Sequence, residues 1–328
     1  MENSGTASVR DRTSRGADSP AGSVDISVVV PVYNEEENIP SLHRRLAETM
    51  ERLGRSYELV FVDDGSSDRS VEIINGLAGQ DPRTRLIEFN RNYGQHAAVF
   101  AGFEHSRGEI VVTLDADLQN PPEEIPRLIS KIEEGYDIVG GLRGHRRDSI
   151  LRKVPSWLVN RFIARATGVR LKDYGCMLRA YRRMVVDQIV RCNEISSFIP
   201  TLATSFARSV TEIEVAHEER RRGKSKYNLS RLLKLNFDLV TGFSLFPIQL
   251  ISALGIIIAL LGMAFGLFLF IRRIFQGPEV EGVFTLFALL FVFVGIQLLA
   301  MGLIGEYIGR IYAEVRNRPR YVIKRISS

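Results

Sequence analysis

The sequence has few of the residues on which several common kinds of site depend. It contains two cysteines, one tryptophan and five histidines in 328 residues. Cys176 and Cys192 do not form a Cys-x-x-Cys pair, and no two histidines have the spacing of metal ligands. The sequence therefore predicts neither a disulfide framework nor a zinc site.

Glycine-rich phosphate-binding loops are also missing. No Gly-x-Gly-x-x-Gly follows the first apolar run, and no Gly-x-x-x-x-Gly-Lys-Ser/Thr motif occurs in the chain. A dinucleotide-binding domain is therefore not indicated, and a polyanionic ligand would need a metal ion and arginines instead. Residues 1–24 lack the apolar core of a signal peptide, so we expect a disordered tail that is not exported.

The net charge is +5, from 43 basic and 38 acidic residues. The basic residues cluster beside apolar segments, and no aromatic-rich basic surface is indicated elsewhere. This distribution favours anionic lipid or substrate phosphates as partners and disfavours nucleic acid.

Alternating apolar runs and polar turns predict an α/β fold. Six segments are typical of strands: Asp25–Val32, Tyr57–Val62, Arg85–Phe89, Ile110–Leu114, Asp137–Gly140 and Ser209–His217. Three are typical of helices: Ile39–Leu53, His96–His105 and Pro122–Glu134. This alternation predicts a mostly parallel sheet covered on both faces, with ligands at the carboxyl ends of its strands.

Asp115, Asp117 and Gln119 directly follow the apolar run that begins at Ile110. On an extended chain these three side chains share one side. Two close carboxylates repel each other, and a hard cation such as Mg²⁺ or Mn²⁺ would offset that repulsion. The alternative interpretation is a simple turn at the end of a strand.

Two long stretches, Leu239–Ile271 and Gly282–Gly305, contain no charged residue. Each is long enough to cross a bilayer, so we expect transmembrane helices over 247–271 and 282–305. Their basic flanks place both chain ends in the cytoplasm, with 272–281 as a periplasmic loop and 306–328 as a cytoplasmic tail.

Basic amphipathic patterns predict helices over about 150–165 and over 228–246, each able to lie in the membrane interface. A helix packed on the core with a solvated basic face is the alternative for 150–165. The expected layout is a cytoplasmic catalytic domain over 25–227, followed by the second interface helix and the membrane segments.

Several motifs resemble those of family 2 glycosyltransferases, and more narrowly the polyprenyl-phosphate glycosyltransferases. The short motifs are Pro31–Glu35, Asp63–Ser66 and Asp115–Gln119; the longer runs are Asn90–Ala97, Thr113–Leu128, Asp173–Arg182 and Gly305–Tyr312. The resemblance extends from about Ile26 to Tyr321. It implies a GT-A type, Rossmann-like sheet.

The resemblance also implies roles for individual residues. The nucleotide pocket would contain Pro31, Tyr33, Glu35, Asp63 against the base, Asp64 beside it, Asp115 and Lys226. The metal ligands would be Asp117 and Gln119. Phosphate-binding cations would be Arg143, Arg221, Lys224 and Lys226, and, less strongly indicated, Arg147, Arg152 and Arg179. Asp115, Asp117, Arg143, Arg221 and Lys224 would carry the reaction. A helix-capping turn and a membrane tether are the alternative interpretations of 63–67 and 220–226.

The implied reaction moves a sugar from a UDP-sugar donor to undecaprenyl phosphate at the bacterial inner membrane, with Mg²⁺ or Mn²⁺. The implied sugar is 4-deoxy-4-formamido-L-arabinose, for lipid A modification and polymyxin resistance. The open alternative is another sugar, such as glucose, for modification of O-antigen or another envelope glycan. The family also suggests a homo-oligomer. A processive synthase is disfavoured because the Gln-x-x-Arg-Trp motif is absent: Ser156 precedes Trp157. A non-catalytic membrane scaffold is the remaining rival.

Overall fold

The structure is a computed structural model that describes residues 24–143, 173, 175–192, 198–217, 246–276, 283–316 and 318–327. Within these ranges, eight strands form one sheet in the order β7-β5-β6-β4-β1-β2-β3-β8. The strands are β1 Ile26–Val32, β2 Tyr57–Asp63, β3 Thr84–Phe89, β4 Ile110–Thr113, β5 Ile138–Arg143, β6 Arg179–Arg182, β7 Val210–Val215 and β8 Ile323–Ser327.

The sheet is mostly parallel, as the sequence predicts. Strand β1 lies between β2 and β4 and is parallel to both, and β3 continues the parallel set beyond β2. Strands β5 and β7 form a second parallel pair. Strand β6 runs antiparallel between β4 and β5, so the carboxyl end of β5 lies at the same edge as that of β4.

Helices cover both faces of the sheet. They are α1 Ile39–Leu53, α2 Ser70–Ala78, α3 Gln95–His105, α4 Ile125–Glu133, α5 Arg183–Arg191 and α6 Ile199–Phe206, with a 3₁₀ turn over Pro122–Glu124. Consecutive β1 residues enter opposite cores: Val28 packs with the α1 and α4 side, and Val29 packs with the α3, α5 and α6 side. Burial on both faces explains why β1 and β2 are mostly apolar in the sequence. The buried polar residues Ser27 and Glu58 are hydrogen-bonded to each other at 2.7 Å.

Two long apolar helices follow, α7 Phe246–Gln276 and α8 Val283–Val315. Among the described residues, one stretch, Val292–Gly309 in α8, is both long enough and apolar enough to cross a membrane. The apolar stretch Ile248–Gly262 in α7 is shorter. The transmembrane pair over 247–271 and 282–305 therefore stays a prediction. The expected interface helix over 150–165 lies outside the described residues, as does 228–245.

The segment 306–328 differs from the tail expected from the sequence. Helix α8 continues to Val315, and β8 then pairs antiparallel with β3 at the edge of the sheet. Lys324 and Arg325 form ion pairs with Glu88 of β3 at 2.6 Å and 3.2 Å. The chain therefore returns from the apolar helices to the catalytic sheet.

Candidate active site

Three neighbouring parallel strands, β1, β2 and β4, end at the same edge of the sheet, and their following loops carry most of the predicted site residues. Pro31 is buried near the end of β1. Tyr33 lies in the loop that follows, and 43% of it is exposed. Glu35 accepts a hydrogen bond from the Asn38 amide at 2.6 Å, at the start of α1. The structure therefore brings the predicted nucleotide-binding residues of β1 to the sheet edge.

Asp63 closes the turn after β2. Its Oδ2 accepts hydrogen bonds from the backbone N–H groups of Gly65 and Ser66, at 3.1 Å and 3.0 Å. Its Oδ1 is buried and has no hydrogen-bond partner among the described residues. Burial raises the pKa of Asp63, although the hydrogen bonds from Ser66 and Gly65 oppose this rise. A buried acceptor without a partner is costly unless a ligand donates to it.

The β1 and β2 loops are joined through Asn34, which adopts a left-handed conformation with φ 56°. The Ser66 hydroxyl accepts a hydrogen bond from the Asn34 backbone at 2.9 Å, and the Asn34 side-chain oxygen accepts one from the Ser67 backbone at 2.8 Å. Asparagine tolerates positive φ better than most residues. These reciprocal bonds hold Tyr33 and Glu35 against the Asp63 turn.

Asp64 has a structural role that we did not expect from the sequence, which predicted only a contact with the nucleotide. Its Oδ1 and Oδ2 accept the backbone N–H groups of Tyr93 and Gly94, at 2.6 Å and 2.9 Å. Gly94 leads into α3, whose first residue is Gln95. Asp64 therefore positions the β3–α3 loop beside the turn after β2, and its contact with the nucleotide stays a prediction.

From the sequence we expected an extended chain after β4, with alternate side chains on one side. The structure differs, because the chain turns there instead. Strand β4 ends at Thr113, and the chain turns over the following residues. The Asp117 Oδ1 accepts the backbone N–H of Gln119 at 3.1 Å, and Leu118 between them has φ 61°. A left-handed leucine is strained, and such strain is concentrated at functional sites.

The electrostatics of this loop indicate two closely placed carboxylates. Burial, and then the charge of Asp117, raise the pKa of Asp115 to about 7, and the nearby Glu35 contributes in the same direction. Arg143 and a hydrogen bond from Gln95 to Asp115 Oδ1, at 2.5 Å, oppose the rise. A cation bound here would stabilise the ionised pair, because an opposite charge favours the charged form.

The donor set of this loop fits Mg²⁺ or Mn²⁺. Asp117 and Gln119 supply carboxylate and amide oxygens, the ligand types that these hard cations take. Within the described ranges, no three His, Cys, Asp or Glu side chains are grouped as a metal site. A hard cation held by Asp117 and Gln119 would take its remaining ligands from water and from the oxygens of a substrate.

Arg143, the last residue of β5, lies at the same edge and is already paired. Its Nε and Nη2 donate to Asp173 Oδ2 and Oδ1, at 2.7 Å and 2.8 Å. Asp173 begins one of the runs that carry the family resemblance, but the sequence predicts no role for it, because its partner Arg143 lies 30 residues away. The phosphate-binding role of Arg143 stays a prediction for the edge of the guanidinium that Asp173 leaves open.

Arg179 does not lie in the cleft, where we expected a phosphate-binding cation. It is 1% exposed in β6, and its guanidinium donates to the backbone oxygens of Cys176 and Asp173, at 2.9 Å and 2.6 Å. It therefore supports the loop before β6. The remaining predicted cations, Arg147, Arg152, Arg221, Lys224 and Lys226, lie outside the described residues.

Comparisons with known proteins agree with this arrangement. Residues 27–190 match the family described as Glycosyl transferase family 2. The undecaprenyl-phosphate 4-deoxy-4-formamido-L-arabinose transferase of Klebsiella pneumoniae is 54% identical, covering 92% of this chain and 93% of that protein. The protein of the same name from Pseudomonas paraeruginosa is 55% identical, covering 92% and 90%.

Solved structures are more distant. Glucosyl-3-phosphoglycerate synthase from Mycobacterium tuberculosis, in complex with Mn²⁺ and UDP-glucose, is 20% identical with a TM-score of 0.48, covering 66% of this chain and 77% of that chain. The family match and the curated relatives are consistent with the strand-end site described above. This chain belongs to glycosyl transferase family 2.

Proposed function

We propose that this chain transfers 4-deoxy-4-formamido-L-arabinose from its UDP donor to undecaprenyl phosphate. The observation that carries the proposal is identity of 54% to proteins named for this reaction, over nearly the whole length of both chains. At such coverage the relatives share the catalytic sheet and the apolar C-terminal helices. We expect the product to supply lipid A modification and cationic-peptide resistance.

The donor would lie across the carboxyl ends of β1, β2 and β4. Asp63 Oδ1, which has no hydrogen-bond partner within the described part of the chain, supports this placement. A uracil base offers one N–H that a buried carboxylate oxygen can accept. Asp115 and Asp117, in the loop after β4, would face the diphosphate of the donor. The family resemblance implies that Lys226, Arg221 and Lys224 would also bind phosphates.

A divalent cation would be held by Asp117 and Gln119. When bound, it would neutralise the charge that develops on the departing diphosphate. The side chains around it have separate tasks: Gln95 orients the Asp115 carboxylate through its 2.5 Å hydrogen bond, and Leu118 packs partly into the core below the turn. Arg143 would add a fixed positive charge facing the leaving group.

The acceptor chemistry does not call for a general base. A phosphate monoester has a second pKa of about 6, so it is mostly dianionic at neutral pH and is already nucleophilic. An alcohol acceptor would need a side chain to remove its proton. We expect single in-line displacement with inversion at the anomeric carbon. Nuclear magnetic resonance of the product tests this, and a retained configuration would exclude single displacement.

The apolar helices would bring this site to its lipid substrate. Large apolar side chains of α8 are exposed, among them Leu298 and Leu299 at 64% and 65%. Apolar surface of this extent normally contacts lipid or protein. We expect α7 and α8 to cross the inner membrane as a pair, with the catalytic domain and both chain ends in the cytoplasm. β8 then connects α8 to the catalytic sheet.

The proposal is tested with purified full chain, undecaprenyl phosphate and a panel of UDP-sugars, with products identified by mass spectrometry. We expect transfer of 4-deoxy-4-formamido-L-arabinose and little transfer of glucose or other sugars. Exclusive transfer of glucose would retain the mechanism and replace the sugar. Absence of transfer from every donor, with lipid still bound, would support the scaffold alternative and contradict the proposal.

A further inference from the structure

We propose that Asp173 is a positioning residue that fixes the Arg143 guanidinium at the carboxyl end of β5, and that it does not accept a proton in the reaction. The inference rests on the proposed function, because it takes Arg143 as a cation facing the donor diphosphate. Its basis is a group of contacts that Asp173 makes with other described residues.

The Asp173 carboxylate is fully committed to local donors. Each oxygen accepts one N–H of Arg143, in a two-point contact of 2.7 Å and 2.8 Å, and Oδ1 also accepts the Gly175 backbone N–H at 3.0 Å. The side chain of Asp173 is only 5% exposed. A buried carboxylate bound by a guanidinium in this way is held in its charged form, which makes it a poor proton acceptor.

Two side chains, the half-buried Glu212 and the buried Arg179, fix the Asp173 backbone. Its N–H donates to Glu212 Oε1 of β7 at 3.0 Å, and its carbonyl accepts from Arg179 of β6 at 2.6 Å. A Cβ on Gly175 would lie 2.9 Å from Arg143 Nη2, so the chain passes closely beside the pair. The loop before β6 is therefore built around the Asp173 carboxylate and its arginine.

The pair lies at the edge where the reaction is expected. Arg143 is the last residue of β5, and β5 ends at the same edge of the sheet as β4. An unrestrained arginine loses rotamer entropy when it is fixed in place. Because Asp173 already fixes the guanidinium, this entropy is lost before the donor binds. The two-point contact uses Nε and Nη2 of Arg143 and not Nη1. The consequence is a preorganised cation at the cleft.

A double-mutant cycle tests whether Asp173 acts through Arg143. The transfer kcat/KM is measured for wild type, Asp173→Asn, Arg143→Lys and the double variant. We expect Asp173→Asn to lower kcat/KM roughly 10- to 100-fold in the wild-type background, the range for one lost charged hydrogen bond. In the Arg143→Lys background, where the two-point contact is already lost, we expect a change below about threefold.

The pH profile separates a positioning role from a proton-accepting role. If Asp173 positions Arg143, kcat/KM of Asp173→Asn is lower at every pH, but it still falls on the acidic side at the same pH as in wild type. Equal losses from Asp173→Asn in both backgrounds, or disappearance of the acidic limb, would overturn the inference. If wild type itself transfers no sugar, the proposed function is contradicted. That outcome is distinct from failure of the positioning role, which requires an active wild type.

The matched control is Asp81→Asn. Asp81 also holds an arginine by two contacts, with Arg83 Nε at 2.8 Å and Nη2 at 3.1 Å, but this pair precedes β3 at the opposite end of the sheet. We expect Asp81→Asn to leave kcat/KM unchanged. Should Asp173→Asn fail to fold, Asp173→Glu replaces it in the same cycle, since the longer side chain keeps the charge but not both short contacts.

Discussion

Gly65→Ala should damage both stability and nucleotide binding, because Gly65 lies where two site loops meet. Gly65 has φ +71°, and a Cβ there would lie 2.5 Å from the Arg91 carbonyl carbon and 2.7 Å from the Asn92 nitrogen. These neighbours are backbone atoms that cannot rotate away. The turn after β2 and the loop after β3 would have to separate, which would displace Asp63 and Asp64.

The expected size of the effect has two parts. An alanine in the left-handed conformation costs about 1–2 kcal/mol, and overpacking typically costs about 1–3 kcal/mol. Gly65→Ala should therefore lower the free energy of unfolding by about 2–5 kcal/mol. Gly54 is the matched control: its φ is also +71°, but nothing lies within 4 Å of its added Cβ. Gly54→Ala should cost about 1–2 kcal/mol, the strain alone.

Urea unfolding of the purified full chain measures the stability of both variants, and titration calorimetry measures their affinity for UDP. We expect Gly54→Ala to bind UDP as wild type does and Gly65→Ala to bind it at least tenfold more weakly. Equal losses of stability in the two variants, with unchanged UDP affinity, would refute the placement of the two loops and of the nucleotide between them.

Three further changes test other parts of the structure. Glu58→Gln should destabilise the protein at pH 7 but much less at pH 3. Burial raises the pKa of Glu58, but hydrogen bonds from Ser27 and Arg107 oppose this rise, and the pKa is lowered overall. A carboxylate with a lowered pKa contributes stability that is lost as the pH falls through its folded-state pKa. Equal losses in urea unfolding at both pH values would contradict this. Leu118→Gly should be at least as stable as Leu118→Ala in thermal unfolding, the reverse of the usual order, because glycine relieves the left-handed strain. A less stable glycine variant would mean that the strain is not present. Glu88→Gln should remove two ion pairs to β8 and speed amide hydrogen exchange over 323–327 while leaving the opposite edge strand β7 unchanged. Unchanged exchange over 323–327 would show that these pairs do not hold β8.

The parallel core of the sheet was predictable from the sequence because its strands are buried on both faces. Strands β1, β2 and β4 therefore appear as apolar runs, and their polar ends mark the cleft. Strands β6 and β8 were missed, since Arg179–Arg182 and Ile323–Ser327 each contain two basic residues and no apolar run. Their place in the sheet depends on partners distant in sequence.

The site was predictable where residues of one loop act together and not where they pair across loops. Asp115 and Asp117 were found as neighbours at a strand end, although the left-handed Leu118 replaces the expected extended geometry. Asp173 was missed because its function lies in the contact with Arg143, which only the folded chain forms. Because β6 runs antiparallel to β5, β6 begins at the edge where β5 ends, and Asp173, which precedes β6, meets Arg143 there.

The most direct test of the account compares sugar transfer to undecaprenyl phosphate by wild type and by Asp117→Asn, each with Mg²⁺ or Mn²⁺ and with EDTA. The variant must unfold at the wild-type temperature. We expect wild-type transfer to require the cation, and kcat/KM of the variant to fall by a factor on the order of 100 or more, as for loss of one preorganised electrostatic group. Transfer that withstands EDTA and the substitution equally would contradict a metal-assisted donor site at the loop after β4.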